Sequence, residues 1–103
     1  MDKEFYNDLY ASIVEAGAEE GFGNVEEGFA NNIYLNVFVD GKDVGVKVDF
    51  CVEEKPFSYG AYEISYIDQV DVDYIFDEMG DNIKDQFDYK DFWSFNYDRR
   101  YIH

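Results

Sequence analysis

The chain has 103 residues, of which 47% are apolar and 20% aromatic, enough for one modest core and too hydrophobic for a disordered chain. Twenty-four acids against eight bases give a net charge of −16, far beyond the roughly 2–8 that suffices to keep a small domain soluble. That charge argues against naked nucleic acid or an anionic membrane as a partner, and requires any electrostatic partner to be basic.

No linker or internal repeat interrupts the sequence, so a single domain is expected over residues 1–103. Within residues 2–16, Phe5, Leu9, Ile13 and Ala16 recur at helical spacing, widened by Tyr6 and Tyr10, while Glu4, Asp8 and Glu15 fall on another side. Gly17 is the expected stop. Residues 17–31, with four glycines and four glutamates including Glu26 and Glu27, read as an acidic Gly-rich loop.

The clearest local pattern follows. Ile33, Leu35, Val37 and Val39 alternate with other side chains, as do Val44, Val46, Val48 and Phe50. Asp40-Gly41 between them is a two-residue hairpin turn, because both positions tolerate positive φ. The register then pairs Val37 with Val44, Leu35 with Val46 and Ile33 with Val48. The opposite face, with Tyr34, Asn36, Phe38, Asp43, Gly45 and Lys47, is left open to solvent. Pro56 and Gly60 mark a loop, and Tyr62, Ile64 and Tyr66 alternate as a third strand.

Residues 73–92, "DYIFDEMGDNIKDQFDYKDF", read as an amphipathic helix capped by Asp71 or Asp73. At 100° per residue, Val72, Ile75, Phe76, Met79, Ile83 and Phe87 fall within a stripe about 120° wide. Asp73, Asp77, Asp81, Asp85 and Asp88 fall on the opposite side. Residues 68–91 hold nine acids and two lysines, against six acids and three lysines in 31–67. Halophilic adaptation would spread the acidity more evenly, and a face selected only for solvation would intersperse lysines, since each like-charge pair at this spacing costs about 0.2–0.5 kcal/mol. The tail from Asp91 reads as a short strand or a short helix. The expected fold is α+β: an N-terminal helix, a three-stranded antiparallel meander, an acidic amphipathic helix and a short C-terminal element.

Little else in the sequence carries chemistry. The single histidine is His103, threonine is absent, and Ser12, Ser58, Ser65 and Ser94 have no histidine partner in the expected fold. Cys51 is alone, which rules out an internal disulfide or a cysteine zinc site. The segment 68–78 lacks the mid-loop glycine and closing glutamate of a calcium loop. The expectation is therefore a non-enzyme without metal or cofactor. No apolar run approaches the roughly 20 residues of a membrane span, and "MDKEFYNDLY" has no apolar signal core, so the expected location is the cytoplasm.

A row of carboxylates on a helix can stand in for the closely spaced phosphates of a nucleic acid strand. The predicted binding residues are Asp73, Asp77, Glu78, Asp81, Asp85 and Asp88, extended by Glu26 and Glu27, with Tyr34 and Phe38 as anchors on the open sheet face. The hairpin "YLNVFVDGKDVGVKVDF" followed by this acidic segment resembles the small acidic anti-CRISPR inhibitors of phages and mobile elements, some of which are built as a helix, a three-stranded sheet and further helix. That resemblance covers residues 2–90 as element order, size and charge, and no functional residue is carried over from it. It implies a counter-defence inhibitor acting by occupancy in the cytoplasm of a host bacterium, with the basic groove of a Cas effector or nuclease as partner. The alternatives are an immunity protein against a nuclease toxin, and an acidic accessory domain in which the charge serves solubility alone.

Overall fold

The computed structural model describes residues 1–101, with side chains as far as Arg99; His103 lies outside the described residues. Asp2 caps the first helix, α1 (Lys3–Glu20), its Oδ1 accepting from the Phe5 N–H at 2.9 Å. Phe5, Leu9 and Ile13 recur every fourth residue and, with Tyr6 and Tyr10, are buried. Removing each large apolar side chain from water contributes about 1.5–3 kcal/mol. The helix does not stop at Gly17, which lies inside it, buried against the Phe50 ring. It ends at Gly21, so the expected loop shrinks to residues 21–28.

Three antiparallel strands follow in the order β1 (Phe29–Val39), β2 (Lys42–Glu54) and β3 (Tyr62–Phe76). Asp40 and Gly41 take φ of 52° and 75°, the two-residue turn expected, and Ile33, Leu35 and Val37 face Val48, Val46 and Val44 as predicted. Leu35, Val37, Val44, Val46, Val48, Phe50, Val70, Val72 and Ile75 belong to the one hydrophobic cluster that α1 completes.

The third strand is the main departure from the sequence reading. It runs on through Phe76, taking in residues expected to be helical. Its register against β2 shifts three times, with Ser65, Asp68 and Asp73 as the extra residues opposite Val52/Cys51, Phe50/Asp49 and Val46/Gly45. Such bulges break the alternation that marks a strand in the sequence. After Phe76 the chain turns: Asp77 Oδ1 accepts from the N–H groups of Met79 (3.0 Å) and Asp81 (2.9 Å), and Gly80 has φ 84°. The predicted acidic helix is reduced to a 3-10 turn at Lys84–Gln86 and α2 (Tyr89–Phe95), which Asp88 caps through the Asp91 N–H. A last short helix, α3 (Tyr97–Tyr101), makes the tail helical rather than extended.

The C-terminal segment covers the rest of the core and is clasped to α1 at Tyr6. The Tyr6 hydroxyl accepts from the Asp88 N–H at 3.0 Å, and Asn96 Nδ2 donates to the carbonyls of Tyr6 and Phe92 at 3.1 and 2.8 Å. The Tyr6 ring meets those of Phe87, Phe92 and Phe95 at centroid distances of 5.3–6.4 Å. Burial pushes the Tyr6 hydroxyl's pKa above its ordinary value; the bond from Asp88 works the other way, and the Asp91 and Asp88 carboxylates add to the rise. Tyrosines also serve β3: Tyr10 accepts from the Ile67 N–H at 3.3 Å and Tyr89 from that of Val72 at 2.9 Å. Among the described residues, no helix is long and apolar enough to cross a membrane.

Candidate protein-binding surface

The helices all lie on one face of the sheet, so the other face is open, and the strand register fixes what it displays. One cross-strand row runs Phe38, Asp43, Phe76; the next runs Asn36, Gly45, Tyr74; a third pairs Tyr34 and Lys47, with Asp71 beyond. Neighbouring strands lie about 4.8 Å apart, so Phe38 and Phe76 flank Asp43 at roughly 10 Å from one another. Tyr34 and Phe38 are 70% and 69% exposed, and Phe76 39%. Large aromatics at such exposure, grouped on one flat face, have the composition of interface anchors.

The middle row has its own construction. The Tyr74 ring lies across β2 over Gly45, where a Cβ would overlap the ring atoms. It reaches β1, where its hydroxyl accepts from Asn36 Nδ2. The ring also contacts Phe76, with centroids 4.9 Å apart. Glycine at position 45 is thus the condition for an aromatic bridge that ties β3 to β1 across the open face.

Acids surround this aromatic surface. Asp43 and Asp71 stand exposed on it, and no ion pair reaches either of them among the described residues. At the turn end of the hairpin, the Glu78 carboxylate folds against Gly41, beside Asp40, whose carboxylate is 3.9 Å from Lys42 Nζ. Asp77, Glu78 and Asp81 share the turn after β3, so that end of the sheet is strongly negative.

The acidic residues singled out in the sequence are therefore distributed rather than aligned. Asp73 sits in a β3 bulge, Asp85 in the 3-10 turn and Asp88 at the α2 cap, with its carboxylate committed to a backbone N–H. Glu26 and Glu27 are in the loop before β1, where Glu26 and Phe29 exchange backbone bonds of 2.9 Å. No single rod of carboxylates exists; the predicted ridge is replaced by a negative margin around an aromatic sheet face. Tyr34 and Phe38 are placed on that face as expected. Arg99 donates to the Asn7 carbonyl at 2.8 Å and lies over the Tyr10 ring, which binds the tail to α1.

Two aromatic residues that the sequence pattern did not single out are the most exposed large apolar side chains among the described residues. Phe57 and Tyr59 stand free at the tip of the β2–β3 hairpin. The tip is ordered by its backbone, with Ser58 N–H bonded to the Lys55 carbonyl and Ala61 N–H to that of Ser58. Phe57 has φ 63°, a conformation costly to a residue with a Cβ. Pro56 before it signals a turn, since proline suits the second position of both type I and type II turns, but it does not signal the positive φ that only type II requires of the next residue.

Among the described residues, no group of three or more His, Cys, Asp or Glu side chains converges as a metal site. Cys51 is a half-buried free thiol on β2. Comparisons of the chain with protein-family models, curated proteins and solved structures find no match.

Proposed function

We propose that this protein is a non-catalytic inhibitor that occupies the nucleic-acid groove of a basic effector, in the manner of an anti-CRISPR or related counter-defence protein. The observation that carries this reading is the open sheet face, where Tyr34, Phe38 and Phe76 are exposed beside Asp43 and Asp71 within a chain of net charge −16. The carboxylates meet the lysines and arginines that a groove presents to phosphates, and long-range attraction speeds encounter. The aromatics supply the desolvated anchors, each worth about 2 kcal/mol or more when buried at the centre of an interface. Mimicry on this reading is the work of a charged sheet face, and no turnover is involved.

The test is affinity capture from a bacterial host lysate with three baits: wild type, Tyr34→Ala/Phe38→Ala and Asp43→Asn/Asp71→Asn. A nucleic-acid-binding protein should be retained by wild type, released by moderate salt and by added duplex DNA or RNA, and lost from both variants. Equal recovery on all three baits, or a captured protein that nucleic acid does not displace, would remove the basis for this reading.

A further inference from the structure

The two edges of the sheet are treated differently. Along β3, three bulges interrupt the strand, and groups that an edge would leave bare have partners: the Ile67 N–H goes to Tyr10, the Val72 N–H to Tyr89, the Ile75 N–H to Asn82 at 3.2 Å, and the Ile75 carbonyl to the Ile83 N–H at 2.7 Å. These are the usual means of blocking an edge. On β1, residues 33–39 have none of them. The segment contains no charge and no proline, its one bulge lies before Ile33, and among the described residues β1 touches no helix or strand other than β2 and α1.

The hairpin turn fixes which backbone groups are bare. A two-residue turn closes on a hydrogen-bonded pair, here Val39 with Lys42. Counting back by twos, Val37, Leu35 and Ile33 bond inward to β2. The N–H and C=O groups of Phe38, Asn36 and Tyr34 point out of the sheet.

We infer that this edge pairs with the same edge of a second copy of the chain, antiparallel about a two-fold axis at Asn36. In that register Tyr34 lies opposite Phe38 of the other copy, Asn36 opposite Asn36, and Leu35 opposite Val37. Every outward-pointing backbone group then meets one, aromatic pairs form on the open face, and aliphatic pairs form on the core side. The fit is self-complementary, as a two-fold interface requires. Charge also selects this edge: Gly28–Val39 is an uncharged stretch of twelve residues in a chain of net −16, and two such chains can approach there without setting carboxylate against carboxylate. The pairing joins two three-stranded sheets into one of six strands and makes the aromatic open face continuous across the axis.

The experiment is sedimentation equilibrium of the full chain at low and high salt. Because the copies repel one another, the dimer should be weaker at about 20 mM salt and tighter at about 0.5 M, where the charges are screened. That is the opposite of the salt response expected for a basic partner, so the two proposals fail separately. Asn36→Asp is close to isosteric, and Tyr74 can donate to the new carboxylate, so the monomer should keep its circular dichroism spectrum. Like charges opposed across the axis should weaken its dimer by up to about fivefold at low salt. Tyr34→Pro, which removes an outward N–H, should abolish the dimer. A wild type that stays monomeric at millimolar concentration in high salt, or a dimer indifferent to both substitutions in folded protein, would overturn the inference.

Discussion

Replacing Gly45 with alanine tests the aromatic bridge on the open face. In an ordinary strand the change gains about 0.5–1 kcal/mol, because glycine loses the most backbone freedom on folding. Here the new Cβ would overlap the Tyr74 ring, so the ring must leave β2. Its hydrogen bond from Asn36 then breaks, at a cost of about 0.5–1.5 kcal/mol. Its contact with Phe76 at 4.9 Å is also lost, at about the same cost. The balance is a destabilisation of about 1 kcal/mol, which lowers Tm by about 4–8 °C in a domain near this size. The sharper expectation concerns sign. In a Tyr74→Ala background nothing remains for the Cβ to displace, and the same Gly45→Ala change should stabilise by about 0.5–1 kcal/mol. Thermal unfolding of the four proteins by circular dichroism completes the cycle. If Gly45→Ala raises Tm in both backgrounds, or lowers it equally in both, the ring does not lie over the glycine.

Phe57→Gly should raise the urea midpoint, since relief of the φ 63° conformation, about 1–2 kcal/mol, exceeds glycine's entropic cost; Phe57→Ala should change little, and a loss above about 1 kcal/mol would show that the side chain is packed. The folded pKa of Tyr6 is raised above its ordinary 10.0, so its protonated form is favoured in the folded state. That contribution to stability is full below pH 10 and is lost as pH rises from there through the folded pKa. Urea midpoints of wild type and Tyr6→Phe should accordingly converge with rising alkaline pH, and a constant difference across that range would refute the assignment.

Legibility in the sequence followed the regularity of the local pattern. The β1–β2 hairpin alternates without interruption from Ile33, and its turn is Asp-Gly, so its pairings and the exposure of Tyr34 and Phe38 could be read residue by residue. The segment 62–76 is also a strand, but bulges at Ser65, Asp68 and Asp73 shift its parity, and its buried residues Ile67, Val70, Val72 and Ile75 follow spacings of three, two and three. Ile75, Met79, Ile83 and Phe87 then recur every fourth residue and imitate one helical stripe, although Met79 is 87% exposed. Gly80 and Asn82, inside that window, were the turn signals that competed with the periodicity. Gly17 misled in the other direction, because a glycine buried at a helix–sheet contact has the same sequence appearance as a helix stop. The acidic ridge failed with the helix that was to carry it.

The clasp at Tyr6 also bears on how the chain assembles. Its hydrogen bonds join residues 82 and 90 positions apart, whereas the β1–β2 hairpin closes on a two-residue turn and belongs to a class that forms in about 1–10 μs. Ordering a long connection before any contact rewards it slows folding. The hairpin is thus expected to form first, and docking of residues 87–96 onto α1 to follow as the step that shuts the core. Run backwards, the same order makes release of that segment the first opening, with the amides of Asp88 and Phe92 exchanging with solvent before those of Val44 and Val46 in the central strand.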